Sequence, residues 1–166
     1  ILAPEVTAAC PGARRAVYYL PQRSCNALGT LAEQLTYPET PPLALQGTGD
    51  GAKAELRRWL DAVDLGHLVD MPGALTDEVD WESVLSHGEQ QRLAIARLLL
   101  LRPRFAVLDE CTSAVSGEIE KRLFELCAVL KISCITIAHR SVLQQYHQRQ
   151  LVLTGRPEEA DGGHRL

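Results

Sequence analysis

Ser86-His87-Gly88-Glu89 opens a long apolar stretch, and after Pro103 a second run, Phe105-Ala106-Val107-Leu108, ends in Asp109-Glu110. No other feature constrains the fold as much. Ser86 and Glu89 have the S-x-x-E spacing of a capping box, so the pattern predicts a helix over 88–101, stopped by Pro103. An apolar run without polar members predicts a strand buried on both faces, as in a parallel sheet. Helix followed by buried strand is the working unit of an α/β fold.

The rest of the chain repeats that alternation. Residues 16–20 read as a strand closed by Pro21, and Thr30 with Glu33 caps a helix over 31–37 that ends at Pro38. Residues 38–51, rich in Pro, Gly and Thr, read as a surface loop. Leu56, Leu60 and Val63 give 52–65 the spacing of an amphipathic helix. Residues 66–84 read as irregular, with a short helical piece at 67–69. A helix over 118–130, a second buried strand over 132–138, a short helix over 143–146 and a last strand over 151–154 follow, and 155–166 is polar. Three or four strands are few for a parallel sheet, and the only methionine is Met71. Both suggest that an N-terminal portion is missing.

Apolar residues make up 46% of the chain, enough for one core, but aromatics are only 5%, so Leu, Ala and Val carry the packing. The net charge of −4 gives no general attraction to nucleic acid, which is excluded as a partner. Cys10, Cys25, Cys111, Cys127 and Cys134 contain no Cys-x-x-Cys pair, and the last three sit in apolar segments. Buried thiols in a reducing compartment are expected rather than disulfides or a zinc site. No apolar run approaches the roughly 20 residues that span a bilayer.

Two clusters carry chemistry. Ser86, the Gly88 amide and the dipole of the following helix form either an ordinary cap or a phosphate-binding helix start. Asp109 and Glu110 end a strand where ligands collect in α/β sheets. An aspartate there suits Mg²⁺, and a neighbouring glutamate suits deprotonation of an attacking water. His139 follows the second buried strand on the same sheet edge. The glycine-rich 47–53 segment is not a P-loop, since no Gly precedes Lys53 and no Ser or Thr follows it.

Taken together these residues resemble the C-terminal two-thirds of an ABC nucleotide-binding domain. Tyr19-Leu20-Pro21-Gln22 resembles the Q-loop, Leu85 to Arg92 the signature and Ala106 to Glu110 Walker B. Thr112 to Ser116 resembles the D-loop and Ile137 to Arg140 the H-switch. Pro21-Gln22-Arg23, Leu28-Gly29-Thr30-Leu31, Tyr37-Pro38, Asp80-Trp81 and Leu108 to Ser116 are similar to subfamily D, the peroxisomal half-transporters of fatty acids and their CoA esters. Ser116, where most relatives carry Asp, is typical of that subfamily.

The resemblance implies an incomplete P-loop NTPase-type α/β sheet with a helical signature subdomain over 1–155 and a tail over 156–166. It implies an ATPase acting in a dimer with a second half-transporter, identical or not. A transmembrane domain would lie upstream, with a fatty acyl substrate, in a peroxisomal or glycosome-like membrane with this domain facing the cytosol. ATP and Mg²⁺ are the implied ligands. Glu110 would be the general base, His139 would bind the γ-phosphate, Asp109 would hold Mg²⁺, and Gln22 would touch both Mg²⁺ and the attacking water. Ser86, His87, Gly88 and Glu89 would face the nucleotide of the partner domain, and Ser113 would couple the two sites. His87 stands where the family usually has glycine, and Walker A is expected upstream of Ile1.

Two alternatives remain beside this reading: a non-catalytic regulatory module descended from such a domain, and the ATPase domain of a related bacterial-type transporter. A DNA-repair ABC ATPase would need a long heptad insertion before the signature, and none lies between Gln22 and Leu85.

Overall fold

The computed structural model describes residues 16–153 and, as backbone, 164–165. Along the chain run β1 (Val17–Leu20), β2 (Leu28–Gly29), α1 (Leu31–Thr36), α2 (Asp50–Asp61), β3 (Val79–Asp80), α3 (Trp81–Val84) and α4 (His87–Leu101). These are followed by β4 (Phe105–Asp109), α5 (Gly117–Val129), β5 (Ser133–Ile137), β6 (Val152–Leu153) and β7 (His164–Arg165). Short 3₁₀ turns lie at Leu43–Leu45, Gly66–Asp70 and Ser141–Tyr146.

β1, β4 and β5 form a parallel sheet with β4 in the centre, as the α/β reading expects. Leu20 and Thr136 both stand opposite Leu108, so the three strands end at one edge. That register decides where the chemistry collects.

α4 is the organising helix. Its positions from Leu93 to Leu100 are buried all round its axis, as expected of a helix enclosed by other elements. It packs against α1, α2, β1 and α5. Both expected capping boxes form, at Thr30–Glu33 and Ser86–Glu89. Arg102 closes α4 in the left-handed conformation at φ +45°, just before Pro103.

Other expectations need correction. Residues 66–84 are not irregular throughout: Val79–Asp80 pairs antiparallel with Leu28–Gly29, and Trp81–Val84 forms a helical turn. Two-residue strands are too short for a period-2 pattern to show. Gly29 has φ +149°, and a Cβ there would lie 2.7 Å from a carboxylate oxygen of the capping Glu33. The second helix starts at Asp50 and ends at Asp61, and the apolar Val63 and Leu65 are buried in the turn that follows. The last strand joins β7 antiparallel rather than the parallel sheet, and Thr154 lies outside the described residues.

The strands expected to be buried on both faces are not. Ile135 and Ile137 of β5 are more than half exposed, as are Val17 and Tyr19 of β1. Phe105 and Val107 between them are only partly buried. Alternation puts these side chains on one face, which the described residues leave uncovered, while Leu20, Ala106 and Leu108 face the core. Cys111 and Cys127 are buried and Cys134 partly so, as expected, whereas Cys25 is exposed; Cys10 lies outside the described residues. Burial pushes the Cys111 thiol up to about 12, which makes it inert as a nucleophile. Among the described residues no helix is long and apolar enough to cross a membrane.

Candidate functional site

The common edge of the sheet gathers three of the expected side chains. Glu110 follows β4 directly and its N–H donates to the Ile137 carbonyl at 3.0 Å, so the end of β5 fixes its backbone. Its φ is +46°, in the left-handed region, which costs a residue bearing a Cβ roughly 1–2 kcal/mol. Such strain persists where the surroundings over-determine it, and it clusters at functional positions. Glu110 Oε1 lies 2.9 Å from His139 Nε2, and Oε2 accepts from the Gln22 amide at 3.2 Å. Gln22, Glu110 and His139 thus come from β1, β4 and β5 in turn. The His139 ring is otherwise almost fully exposed.

Asp109 points to the open face. Its Oδ2 accepts a 2.6 Å hydrogen bond from the Tyr19 hydroxyl, and this carboxylate holds the phenol above its ordinary range. Among the described residues no three His, Cys, Asp or Glu side chains gather into a cage for a metal. One carboxylate beside the Tyr19 hydroxyl still fits Mg²⁺, which usually keeps several waters and takes one or two protein carboxylates plus substrate phosphates.

The start of α4 borders a cleft that reaches Gln22 of this trio. The cleft is open, holds about 500 Å³ and is lined by Gln22, Arg23, Ser24, Glu82, His87 and Gln90. Ser86 and His87 are exposed, and of the two His87 lines the cleft. The Ser86 hydroxyl donates to Glu89 Oε2 at 2.6 Å and accepts from the Glu89 N–H at 3.4 Å. The hydroxyl bond first, and then the Ser86 N–H donating to the same Oε2 at 2.9 Å, hold the Glu89 carboxyl below its ordinary value of 4.5. A phosphate arriving at this helix start would compete with Glu89 for the hydroxyl.

A pH dependence follows. A carboxyl lowered on folding stabilises the fold above its unfolded pKa, and the contribution is lost as pH falls through the lowered value. Ser86→Ala is expected to cost about 1 kcal/mol near neutral pH through loss of the cap. It should also flatten the fall in melting temperature between pH 5 and 3. Melting curves across that range check both; an acid limb identical to that of the parent would remove Glu89 as its source.

Several anchors were not legible in the sequence. Arg140 donates to Glu120 Oε1 at 2.8 Å, and Glu120 is almost fully buried on α5, which ties the turn after His139 to that helix. Arg97, inside α4, donates to the Gln34 carbonyl at 2.6 Å and the Cys25 carbonyl at 3.0 Å, holding the segment after Gln22. Ser113 enters through a 3.2 Å bond from the buried Gln91 amide. A charged residue at an apolar helix position was the only hint of Arg97. Tyr19, Glu120 and Gln91 gave none, because their partners are distant in sequence.

Known proteins are similar to this chain. Residues 5–113 match the family model described as ABC transporter. The chain is 40% identical over 144 residues to "ATP-binding cassette sub-family D member 3" of Mus musculus, covering 86% of this chain and 21% of that protein. It is 42% identical to "ABC transporter D family member 1" of Arabidopsis thaliana, covering 84% of this chain and 10% of that protein. It is also 39% identical to the human "Lysosomal cobalamin transporter ABCD4", covering 84% and 23%. Among solved structures, one described as a bacterial Atm1-family ABC exporter with ATP bound matches with a TM-score of 0.58 at 28% identity. That match covers 83% of this chain and 23% of the exporter chain. The chain therefore spans about a quarter or less of each relative.

Proposed function

This chain belongs to the ABC transporter family, within the ATP-binding domain and related to subfamily D, and on that premise we propose that it hydrolyses ATP as part of an organellar half-transporter. The substrate proposed is a long-chain fatty acid or its CoA ester, moved across a peroxisomal or related membrane by a dimer with a second half-transporter. The unit proposed for this work is 1–155, with 156–166 as a tail. The observation that carries the reading is the meeting of Gln22, Glu110 and His139 at the ends of adjacent parallel strands.

In this reading Glu110 orients a water and takes its proton as the water attacks the γ-phosphate. Both of its oxygens are already engaged, so the carboxylate is placed before water and nucleotide arrive. Gln22 keeps the base aligned and links it to the cleft beside α4. His139, held by the Arg140–Glu120 pair, presents its Nε2 toward the γ-phosphate. Asp109, with Tyr19 steadying one oxygen, would hold Mg²⁺ with help from Gln22. Bound Mg²⁺ would neutralise charge on the β- and γ-phosphate oxygens. Ser86, His87, Gly88 and Glu89 form the helix start that meets the partner domain's nucleotide, and Ser113 couples the sites.

Reconstitution of the full-length protein in liposomes tests the substrate. ATP turnover is expected to rise with long-chain acyl-CoA or free fatty acid and to ignore cobalamin, the substrate named for one relative. Stimulation by cobalamin alone would overturn the acyl assignment while leaving the ATPase reading intact. Absence of any ATP turnover would overturn both.

A further inference from the structure

Gln91 is 1% exposed, and both polar groups of its side chain are engaged by other segments. Its Nε2 donates to the Gln22 backbone carbonyl at 3.2 Å and to Ser113 Oγ at 3.2 Å. Its Oε1 accepts from the Ala114 N–H at 2.9 Å. The His87 ring nitrogen Nε2 lies 3.4 Å from the same Nε2. A primary amide has two N–H donors, so three candidate acceptors share two hydrogens, and His87 joins only with its Nε2 lone pair turned inward. A second observation makes the same junction tight. A Cβ on Gly88 would lie 3.0 Å from the Ala114 carbonyl, so the glycine brings the start of α4 against the loop that carries Ser113.

We infer that Gln91 is a positioning residue which locks the Gln22 segment, the first turn of α4 and the Ser113–Ala114 loop into one unit. It touches no reacting atom. It acts by fixing the Gln22 carbonyl, and so the side chain that aligns Glu110, in register with the loop through Ser113. A small displacement of aligned groups costs turnover far more than it costs binding. This consequence for turnover rests on the reading of Glu110 as base, whereas the junction itself does not.

The experiment uses the full-length protein with Gln91→Met, which keeps the volume and removes the polar groups, and Gln91→Glu, which keeps only the acceptor. Hydrogen exchange is expected to quicken at Ala114 in the Met variant, and Glu is expected to restore that protection. Both variants are expected to lose kcat by about 10²-fold with the KM for ATP little changed. Unchanged exchange at Ala114 in the Met variant, or parental kcat in both variants, overturns the inference. Should Met loosen the whole of α4, Gln91→Glu carries the test: protected Ala114 with lost kcat supports the inference, and parental kcat overturns it. Failure of the ATPase reading would show separately, as a Glu110 variant with parental turnover, while the exchange measurements still judge the junction.

Discussion

Glu110→Gln in the full-length protein is expected to lower ATP turnover by about 10²–10⁴-fold, the range that a positioned general base supplies. Nucleotide binding survives the change. Glutamine keeps the size and left-handed backbone of Glu110, and its amide can still meet Gln22 and His139, so the site retains its shape. What would disappear is the group proposed to take the proton from water. The variant therefore accumulates bound, unhydrolysed ATP, which separates loss of chemistry from loss of fold. Retention of radiolabelled ATP after rapid gel filtration, beside single-turnover hydrolysis, checks both halves. Turnover equal to the parent would remove Glu110 as the base. His139→Ala tests a neighbouring role by a different signature: the Glu110 carboxylate keeps its bond to Gln22 but loses its partner on the β5 side.

The largest effect on stability is expected at Trp81. Its ring is fully buried, and its Nε1 donates to the Gly29 carbonyl at 2.7 Å. That bond joins α3 to the β2–β3 ribbon, and the ring also belongs to the core shared with Trp59 and α4. Trp81→Ala is expected to cost about 3–5 kcal/mol, through lost burial and the cavity left behind. Native domains hold only about 5–15 kcal/mol in total, so this one change removes much of the margin. Trp81→Phe keeps most of the apolar area but strands the Gly29 carbonyl, and should fall between at about 1–3 kcal/mol. Urea midpoints of the three proteins give the order. A Phe variant as unstable as Ala would mean that the hydrogen bond, not the ring, carries the energy.

Local patterns were legible where the interaction is local. Both capping boxes, the stop at Pro103 and the parallel β1-β4-β5 sheet follow from spacing that repeats within a few residues. Glu110 and His139 were legible as neighbours on one sheet edge, because parallel strands feeding helices end together, whereas the bond from Gln22 to Glu110 was not. The two-residue ribbon and the turn at Trp81 escaped, since nothing periodic can appear in so few residues. The exposure of Ile135 and Ile137 escaped for another reason: an apolar strand reads the same whether or not its second face is covered.

The amino-acid order alone determined the type of each long element, its caps and its family, because helix and strand periods and acidic strand ends are written in neighbouring residues. Only the tertiary structure decided which side chains share bonds. Gln91 meets Gln22, Ser113 and Ala114, Arg140 meets Glu120, and Tyr19 meets Asp109 across separations that no local period spans. Buried polar groups must find partners wherever the packed backbone brings them, and that meeting is set by the packing of α4 and α5 against the sheet.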